Sequence, residues 1–280
     1  MPTVLSVQSR VAYGHVGNSA AVFPLQRLGI EVWSLDTVAF SNHTGHGRWR
    51  GKAIPAQEVA AVFDGIADLG VLKRCDAVLS GYLGEAATGP VLIDIVSRVK
   101  AANPHALFCC DPVIGDTGTG LYVGPGIPEF FRDRVLPLAD IATPNRFELE
   151  WLTGEPVTSL EQAAAAGEAL RRRGPGIVLA TSLDAGIDRV ATAALGPDGA
   201  WAVETPLLPI VLNGCGDALA ALFLGRLLRG EAVPDALSTS VAAIHAVIEA
   251  TAAAGRDELA LVAGQEELAA PRRALAVRRL

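Results

Sequence analysis

The stretch Leu107-Phe108-Cys109-Cys110-Asp111-Pro112-Val113-Ile114-Gly115-Asp116 sets the fold. Its first four residues are apolar without alternation, and an Asp-Pro turn stops them at once. So short a run reads as a strand, and the missing alternation implies burial on both faces, as in parallel sheets covered by helices. Comparable runs lie at residues 3–7, 31–35, 77–79, 141–143 and 177–180. Helix-period stretches follow them at 18–28, 57–69, 89–102, 146–152, 160–172, 217–229 and 234–254, with Pro24 expected to kink or shorten the first. This alternation predicts an α/β fold with a doubly wound, mainly parallel central sheet flanked by helices. Residues 189–195 and 200–204, split by Gly196-Pro197-Asp198-Gly199, predict an antiparallel hairpin at the sheet edge. No repeat, linker or composition break divides the chain, so residues 1–280 read as one domain.

Composition narrows the function. Half of the residues are hydrophobic and 19% are charged, which excludes a disordered chain. Four cysteines are too few for a disulfide scaffold, and they form no C-x-x-C pair, so a reducing cytoplasm is expected. No leader pattern opens the chain, and apolar runs such as 218–224 are too short to span a bilayer. A net charge of −7 argues against nucleic acid as a partner. Of 23 basic residues only Lys52, Lys73 and Lys100 are lysines, and none sits in a Gly-rich loop, which removes a Walker-A phosphate loop. Phosphate, if handled, must meet backbone amides, metal or arginine.

In doubly wound sheets ligands bind beyond the C-terminal ends of the strands, and the polar segments lie there. Ser9 is expected where the first strand meets its loop, able to bond a small polar ligand, although that loop could equally be a helix start capped by Asn18 or Ser19. Phe40-Ser41-Asn42-His43-Thr44-Gly45-His46-Gly47-Arg48-Trp49 reads as a small mobile flap over a substrate, or as a plain surface loop. His43 and His46 lack a third metal ligand nearby. Asp111 and Asp116, five apart around a turn, suit Mg²⁺ with phosphate oxygens, and an ordinary turn is the alternative. Glu148 opens a helix after Thr143-Pro144-Asn145, where a carboxylate is favourable against the helix dipole and could also reach a metal-bound water. The sharpest feature is Asn213-Gly214-Cys215-Gly216-Asp217, running straight into a helix. Two glycines and a helix N-terminus make an anion hole, and an Asp at its mouth can take a proton from a hydroxyl. Asp217 could also be a simple N-cap.

Together these segments resemble the pyridoxal kinase family of the ribokinase superfamily. The resemblance is carried, in order, by Ser9-x₄-Gly14-His15-x-Gly17-Asn18-Ser19-Ala20, Phe40-Ser41-Asn42-His43-Thr44-Gly45, Ser80-Gly81-Tyr82-Leu83-Gly84, Asp111 to Asp116, Thr143-Pro144-Asn145-x-Phe147-Glu148 and Gly214-x-Gly216-Asp217. It runs along nearly the whole chain and fades after about residue 255. The resemblance implies ATP-dependent phosphorylation of the 5′-hydroxymethyl group of pyridoxal, with pyridoxine and pyridoxamine as further substrates. It implies Asp217 as general base and the Gly214, Cys215 and Gly216 amides as anion hole. Ser9 and Thr44 would contact the pyridine ring, with Val16, Val38, Phe40, His43 and Tyr82 lining its pocket. Tyr122 would close over the site. Asp111, Asp116 and Glu148 would organise Mg²⁺ and ATP, directly or through water, with Thr143 and Thr181 also on the nucleotide. A homodimer and a monovalent cation are implied too.

Three departures stand out. Cys215 replaces the family's usual Thr or Val, which keeps the amide but could bring oxidation sensitivity. Thr181-Ser182 stands where many bacterial relatives carry Lys, and residues 206–212 look short for framing a nucleotide. The competing readings are a hydroxymethylpyrimidine kinase of the same superfamily and a vitamer-binding protein without turnover.

Overall fold

The apolar runs are strands because helices cover both of their faces. The computed structural model describes all 280 residues. In chain order the first seven strands are β1 (Thr3–Val11), β2 (Glu31–Phe40), β3 (Gly51–Ala53), β4 (Ala77–Ser80), β5 (Leu107–Cys110), β6 (Gly115–Asp116) and β7 (Gly120–Leu121). After them come β8 (Ile141–Ala142), β9 (Ile177–Asp184), β10 (Arg189–Gly196), β11 (Gly199–Pro206) and β12 (Arg278–Arg279). The helices are α1 (Asn18–Arg27), α2 (Ala56–Asp68), α3 (Thr88–Ala102), α4 (Ile127–Phe130), α5 (Arg146–Thr153), α6 (Leu160–Arg171), α7 (Cys215–Leu228), α8 (Val233–Ala253) and α9 (Gln265–Ala269).

Ten strands form one sheet in the order β12-β11-β10-β9-β8-β5-β4-β1-β2-β3, and β6 pairs with β7 apart from it. The strands from β9 to β2 in that order are parallel, whereas β10, β11 and β12 at one edge and β3 at the other are antiparallel. The chain steps from β1 out to β2 and then returns to lay β4 on the other side of β1. The strand order therefore reverses at β1, and that switch point opens a crevice at the C-terminal ends.

Neighbouring residues along each strand serve opposite cores. Leu5 and Val7, Val78, Phe108 and Cys110, Ala142, and Val178 and Ala180 pack with α2, α3, α5 and α6. Val4, Ala77 and Leu79, Cys109, Ile141 and Leu179 pack with α1, α7, α8 and α9. Fully buried Phe63, Phe108, Phe131 and Phe223 anchor the two layers, and each would cost about 3–5 kcal/mol as Ala. The same alternation sends the Cys109 and Cys110 side chains to opposite faces, and all four cysteines are free thiols.

The predicted doubly wound parallel sheet, flanking helices and hairpin are all present, with several corrections. The hairpin is not at the edge, because Arg278–Arg279 pairs with Trp201 and Ala202 and covers it. The C-terminal Arg278–Arg279 thus docks on the sheet. α1 runs through Pro24 to Arg27 rather than ending there. Its cap is Gly17, not Asn18 or Ser19. Asn18 instead bonds Ser6 at 2.7 Å, the Leu35 carbonyl at 3.0 Å and Asp36 at 2.8 Å, and Ser19 Oγ donates to the Val11 carbonyl at 2.8 Å. Both side chains stitch α1 to the strands. α8 has 21 residues and a composition apolar enough to span a bilayer, yet over half of its most apolar window is buried within the protein.

Candidate active site

α7 begins at Cys215, with Gly214 as its cap at φ +83. Asp217 is therefore the third helical residue and not the N-cap. Ala218 is the first amide of the helix with a backbone acceptor, donating to the Gly214 carbonyl at 3.0 Å. The Cys215, Gly216 and Asp217 amides ahead of it lack an intrahelical partner, and the helix dipole adds positive potential there. Gly214 lies directly on the His15 carbonyl: a Cβ there would overlap that oxygen and stand 2.8 Å from its carbon. Only glycine allows this approach.

The loop after β1 closes the other side. Ser9 is not at the strand end, because β1 continues to Val11 and Ser9 sits at a break in its register with β2, between Gln8 and Arg10. Ser9 is 6% exposed, and a Cβ on Gly17 would overlap its hydroxyl. The Gly17 amide faces the Asp217 carboxylate. Burial pushes the Asp217 carboxyl above the ordinary range, while the Gly17 amide and its own amide oppose that rise. A raised carboxylate at the mouth of free amides has the chemistry of a general base beside an anion hole.

The acidic residues gather beyond β5 and β8. Asp111 is 6% exposed. Its carboxyl is raised well above the ordinary range by burial first, then by the charges of Glu148 and Asp217. The Thr143 hydroxyl and Val113 amide pull it down. Val113 holds φ +34, an uncommon conformation for a β-branched residue, next to that carboxylate. Glu148 forms a capping box with Asn145, and its side chain accepts from Asn145 N at 2.9 Å and Ile114 N at 2.8 Å. Burial raises it to about 7 against the Asn145, Ile114 and Gly115 amides. Its carboxylate thus braces the 113–121 loop to α5. Asp116 is exposed and caps Gly118 at 3.3 Å. Although nearly half of Tyr122 is exposed, its phenol is pushed far up, first by the protein packed around it, then by Glu148, Asp111, Asp217 and Asp116. Asp111, Glu148, Tyr122 and Asp217 therefore share one electrostatic cluster.

No three His, Cys, Asp or Glu side chains converge as a ready-made metal cage. Mg²⁺ suits such a place, because it is usually held by one or two carboxylates plus nucleotide phosphates. Ser80 Oγ, at the end of β4, is buried without a partner, and Thr143 Oγ1, just past β8, is buried with only the Asp111 carboxylate to face. Such hydroxyls beside Asp111 fit arriving phosphate or metal-bound water oxygens.

On the other side, residues 41–50 form the tip of the β2–β3 hairpin, the predicted flap. Thr44 to His46 make a single 3₁₀ turn capped by His43, whose Nδ1 accepts from Gly45 N at 3.1 Å. Burial lowers the His43 pKa from its usual value. Phe40 packs on Trp49 with ring centroids 4.3 Å apart. A Cβ on Gly45 would stand 3.5 Å from Asn213 Nδ2, so the flap lies close to the segment entering the anion hole. Val16 and Val38 are buried. Tyr82 is half-buried, and Thr37 Oγ1 donates to its carbonyl at 2.6 Å.

Thr181 also differs from expectation, because β9 continues past it to Asp184. Thr181 and Ser182 lie in a bulge opposite Thr192, with Ser182 at φ +56. Thr181 bridges to Asn145 and donates its amide to the Pro144 carbonyl at 3.0 Å, beside α5. Residues 207–213 carry exposed Leu207 and Val211. Burial, helped by the Asp217 charge, pushes the Cys215 thiol up to about 12. A thiol so held is a poor nucleophile, since attack needs the thiolate.

Sequence reasoning missed Gly17 as a partner of Asp217, the strained Val113, Arg146 and Glu258. Arg146 reaches Thr117 Oγ1 at 3.5 Å, with its Nε buried and unpartnered. The short motifs hid these roles inside unremarked positions, and only the Asn-Arg-Phe-Glu run offered a signal for Arg146.

A sequence model of the phosphomethylpyrimidine kinase family matches residues 37–261. The chain is 56% identical over 281 aligned residues to pyridoxal kinase PdxY of Rubrobacter xylanophilus, covering 99% of this chain and 97% of that one. It is 50% identical to pyridoxal kinase PdxY of Granulibacter bethesdensis, covering 96% of each. The structure superimposes on pyridoxal kinase from Leishmania donovani in complex with ADP and pyridoxamine, with a TM-score of 0.94, 28% identity and full coverage of both chains.

Proposed function

The chain belongs to the pyridoxal kinase family, and on that premise we propose that the crevice beside Asp217 is where ATP phosphorylates the 5′-hydroxymethyl group of pyridoxal. The enzyme is an ATP-dependent kinase of pyridoxal, with ATP and Mg²⁺ as its co-substrate and metal. The solved relatives from Leishmania donovani with pyridoxamine and with pyridoxine support those vitamers as further acceptors.

The geometry supports the following residue roles. Asp217 takes the proton of the 5′-hydroxyl as its oxygen forms a bond to the γ-phosphorus and the bond to the ADP oxygen breaks. The Cys215, Gly216 and Asp217 amides hold the charge on the transferring group. Asp111 and Asp116 would hold Mg²⁺, and Glu148, already committed to three amides, would act on it through water. Held there, Mg²⁺ would supply neutralisation of the phosphate charge. Thr143 and Thr181 would meet the nucleotide, as would the unpaired Arg146. On the acceptor side Ser9 and Thr44 contact the ring, within walls of Val16, Val38, Phe40, His43 and Tyr82, and Tyr122 covers the reacting groups. We read residues 1–280 as one kinase domain, working as a cytoplasmic homodimer with a monovalent cation. The reduced state of its four cysteines fits that compartment.

The observation that carries this reading is the half-buried Asp217 carboxylate facing the Gly17 amide at the start of α7, whose first amides lack an intrahelical partner. Incubation with Mg·ATP and pyridoxal, beside a hydroxymethylpyrimidine control, tests it by the absorbance of pyridoxal 5′-phosphate. Product from pyridoxal is expected. Turnover of the pyrimidine alone would move the assignment to the other branch, and pyridoxal binding without ATP use would leave a vitamer-binding protein.

A further inference from the structure

Glu258 lies outside every motif, between α8 and α9, yet it is a carboxylate only 4% exposed. Each of its oxygens has a separate partner. Oε2 accepts from the His15 amide at 3.0 Å, and Oε1 accepts from His46 Nε2 at 2.7 Å. An ionised carboxylate only accepts, so Nε2 carries the proton of that bond. Gly14 lies so close that a Cβ there would overlap the Glu258 carboxylate. Next to it Tyr13 bonds Asp257 Oδ1 at 3.3 Å and packs edge-on to His46, with ring centroids 6.0 Å apart.

Those two partners lead to the two halves of the acceptor site. His15 turns its carbonyl onto Gly214, the cap of α7, and two residues later the Gly17 amide meets Asp217. The 14–17 loop is therefore strung between Glu258 at one end and the base at the other. His46 stands in the same 3₁₀ turn as Thr44, and Gly45 between them lies near the Asn213 side chain. One buried carboxylate thus joins the flap to the loop that carries Asp217. The nucleotide-side residues Asp111, Thr143, Glu148 and Thr181 make no hydrogen bond with it.

We propose that Glu258 is a positioning residue for the acceptor alcohol: it holds the flap, through His46, in register with the loop that orients Asp217. The inference rests on residues 41–50 being the flap over pyridoxal. Its loss frees the flap and loosens the acceptor without disturbing ATP. Hydrogen bonds to charged groups are strong enough that each lost arm should cost about tenfold.

The test uses Glu258→Ala, Glu258→Gln, His46→Ala and the Glu258→Ala/His46→Ala double variant. His46→Ala leaves the His15 bond intact, so it folds even if the Glu258→Ala protein does not. Two readouts are taken. The first is KM for pyridoxal against KM for ATP. The second is the rate of tryptic cleavage after Arg48 and Arg50 in the flap, which needs no activity. His46→Ala should raise the pyridoxal KM about tenfold and Glu258→Ala, which loses both arms, by up to about a hundredfold, while both keep the ATP KM within about twofold and speed flap cleavage several-fold. Glu258→Gln should recover only part of the loss, because its single acceptor oxygen can serve the His15 amide or His46 but not both. The double variant should match the worse single variant in flap cleavage. Unchanged flap cleavage in His46→Ala, or an ATP KM that rises with the pyridoxal KM, overturns the proposal. If the unmodified enzyme makes no pyridoxal 5′-phosphate, the functional reading fails, while flap cleavage still decides the role of Glu258.

Discussion

The two glycines of Gly214-Cys215-Gly216-Asp217 look equivalent in sequence, but Gly214→Ala and Gly216→Ala should fail in different ways. At Gly214 the backbone is left-handed, at φ +83, and a Cβ would overlap the His15 carbonyl oxygen. Neither backbone can yield freely, because His15 is tied by its amide to Glu258 and Gly214 caps a buried helix. The left-handed strain alone costs about 1–2 kcal/mol, and relieving the overlap moves the start of α7 by on the order of an ångström. A misplacement of that size in a reacting site costs roughly 10²-fold in rate. Gly216 sits inside the helix, and a Cβ there meets nothing within 4 Å. Ala at such a position gains up to about 1 kcal/mol in helix propensity, worth roughly 2–4 °C in Tm for a chain of about this size. In this account the empty space belongs to the transferring phosphoryl group, so the methyl obstructs it and kcat should still fall by ten-fold or more. Thermal unfolding and steady-state kinetics on both variants decide the matter. Gly214→Ala should lose both stability and rate, and Gly216→Ala should lose rate alone. Full activity in Gly216→Ala would mean that the phosphoryl group does not approach these amides.

Three further outcomes are expected. Because burial raises the Asp217 carboxyl above the ordinary aspartate range, kcat should fall with falling pH through a midpoint above the usual carboxylate pKa of about 3.9. A limb at or below that value in a pH–rate profile would exclude Asp217 as the base. With its thiol pushed up to about 12, Cys215 is overwhelmingly protonated near neutral pH. Iodoacetamide at pH 7.5 should therefore leave activity intact over an hour, and rapid inactivation traced to Cys215 by mass spectrometry would contradict its burial. Thr44→Ala should weaken pyridoxal binding more than ATP binding in calorimetry, and the reverse order would misplace the flap.

Much of the fold was legible because burial on both sheet faces leaves a plain trace. The run Leu107–Cys110 is a strand to the residue, and the helices end within about two residues of their apolar stripes. The missed elements lack such a trace. β3 and β12 are edge strands too short to carry a pattern, β12 also pairing with the distant Trp201 and Ala202, and α4 with the turns after it is built around Pro128 and Pro137. In the site, residues at strand ends were readable from their polar, glycine-rich setting. Ser9 was misplaced because β1 bulges rather than ends, which local pattern cannot show. Glu258 was invisible because its meaning depends on His15 and His46, each more than 200 residues away. The inequality of Gly214 and Gly216 likewise depends on His15, a long-range approach that no G-x-G pattern encodes.

The central claim is that Asp217 removes the proton from the acceptor alcohol, and the direct measurement is Asp217→Asn, assayed for kcat and for pyridoxal affinity. The substitution keeps the shape and the contact with the Gly17 amide but removes the base. The account predicts a fall in kcat of about two powers of ten or more with pyridoxal Kd largely unchanged. Loss of pyridoxal binding in step with turnover would make Asp217 a structural residue, and retained turnover would put the base elsewhere.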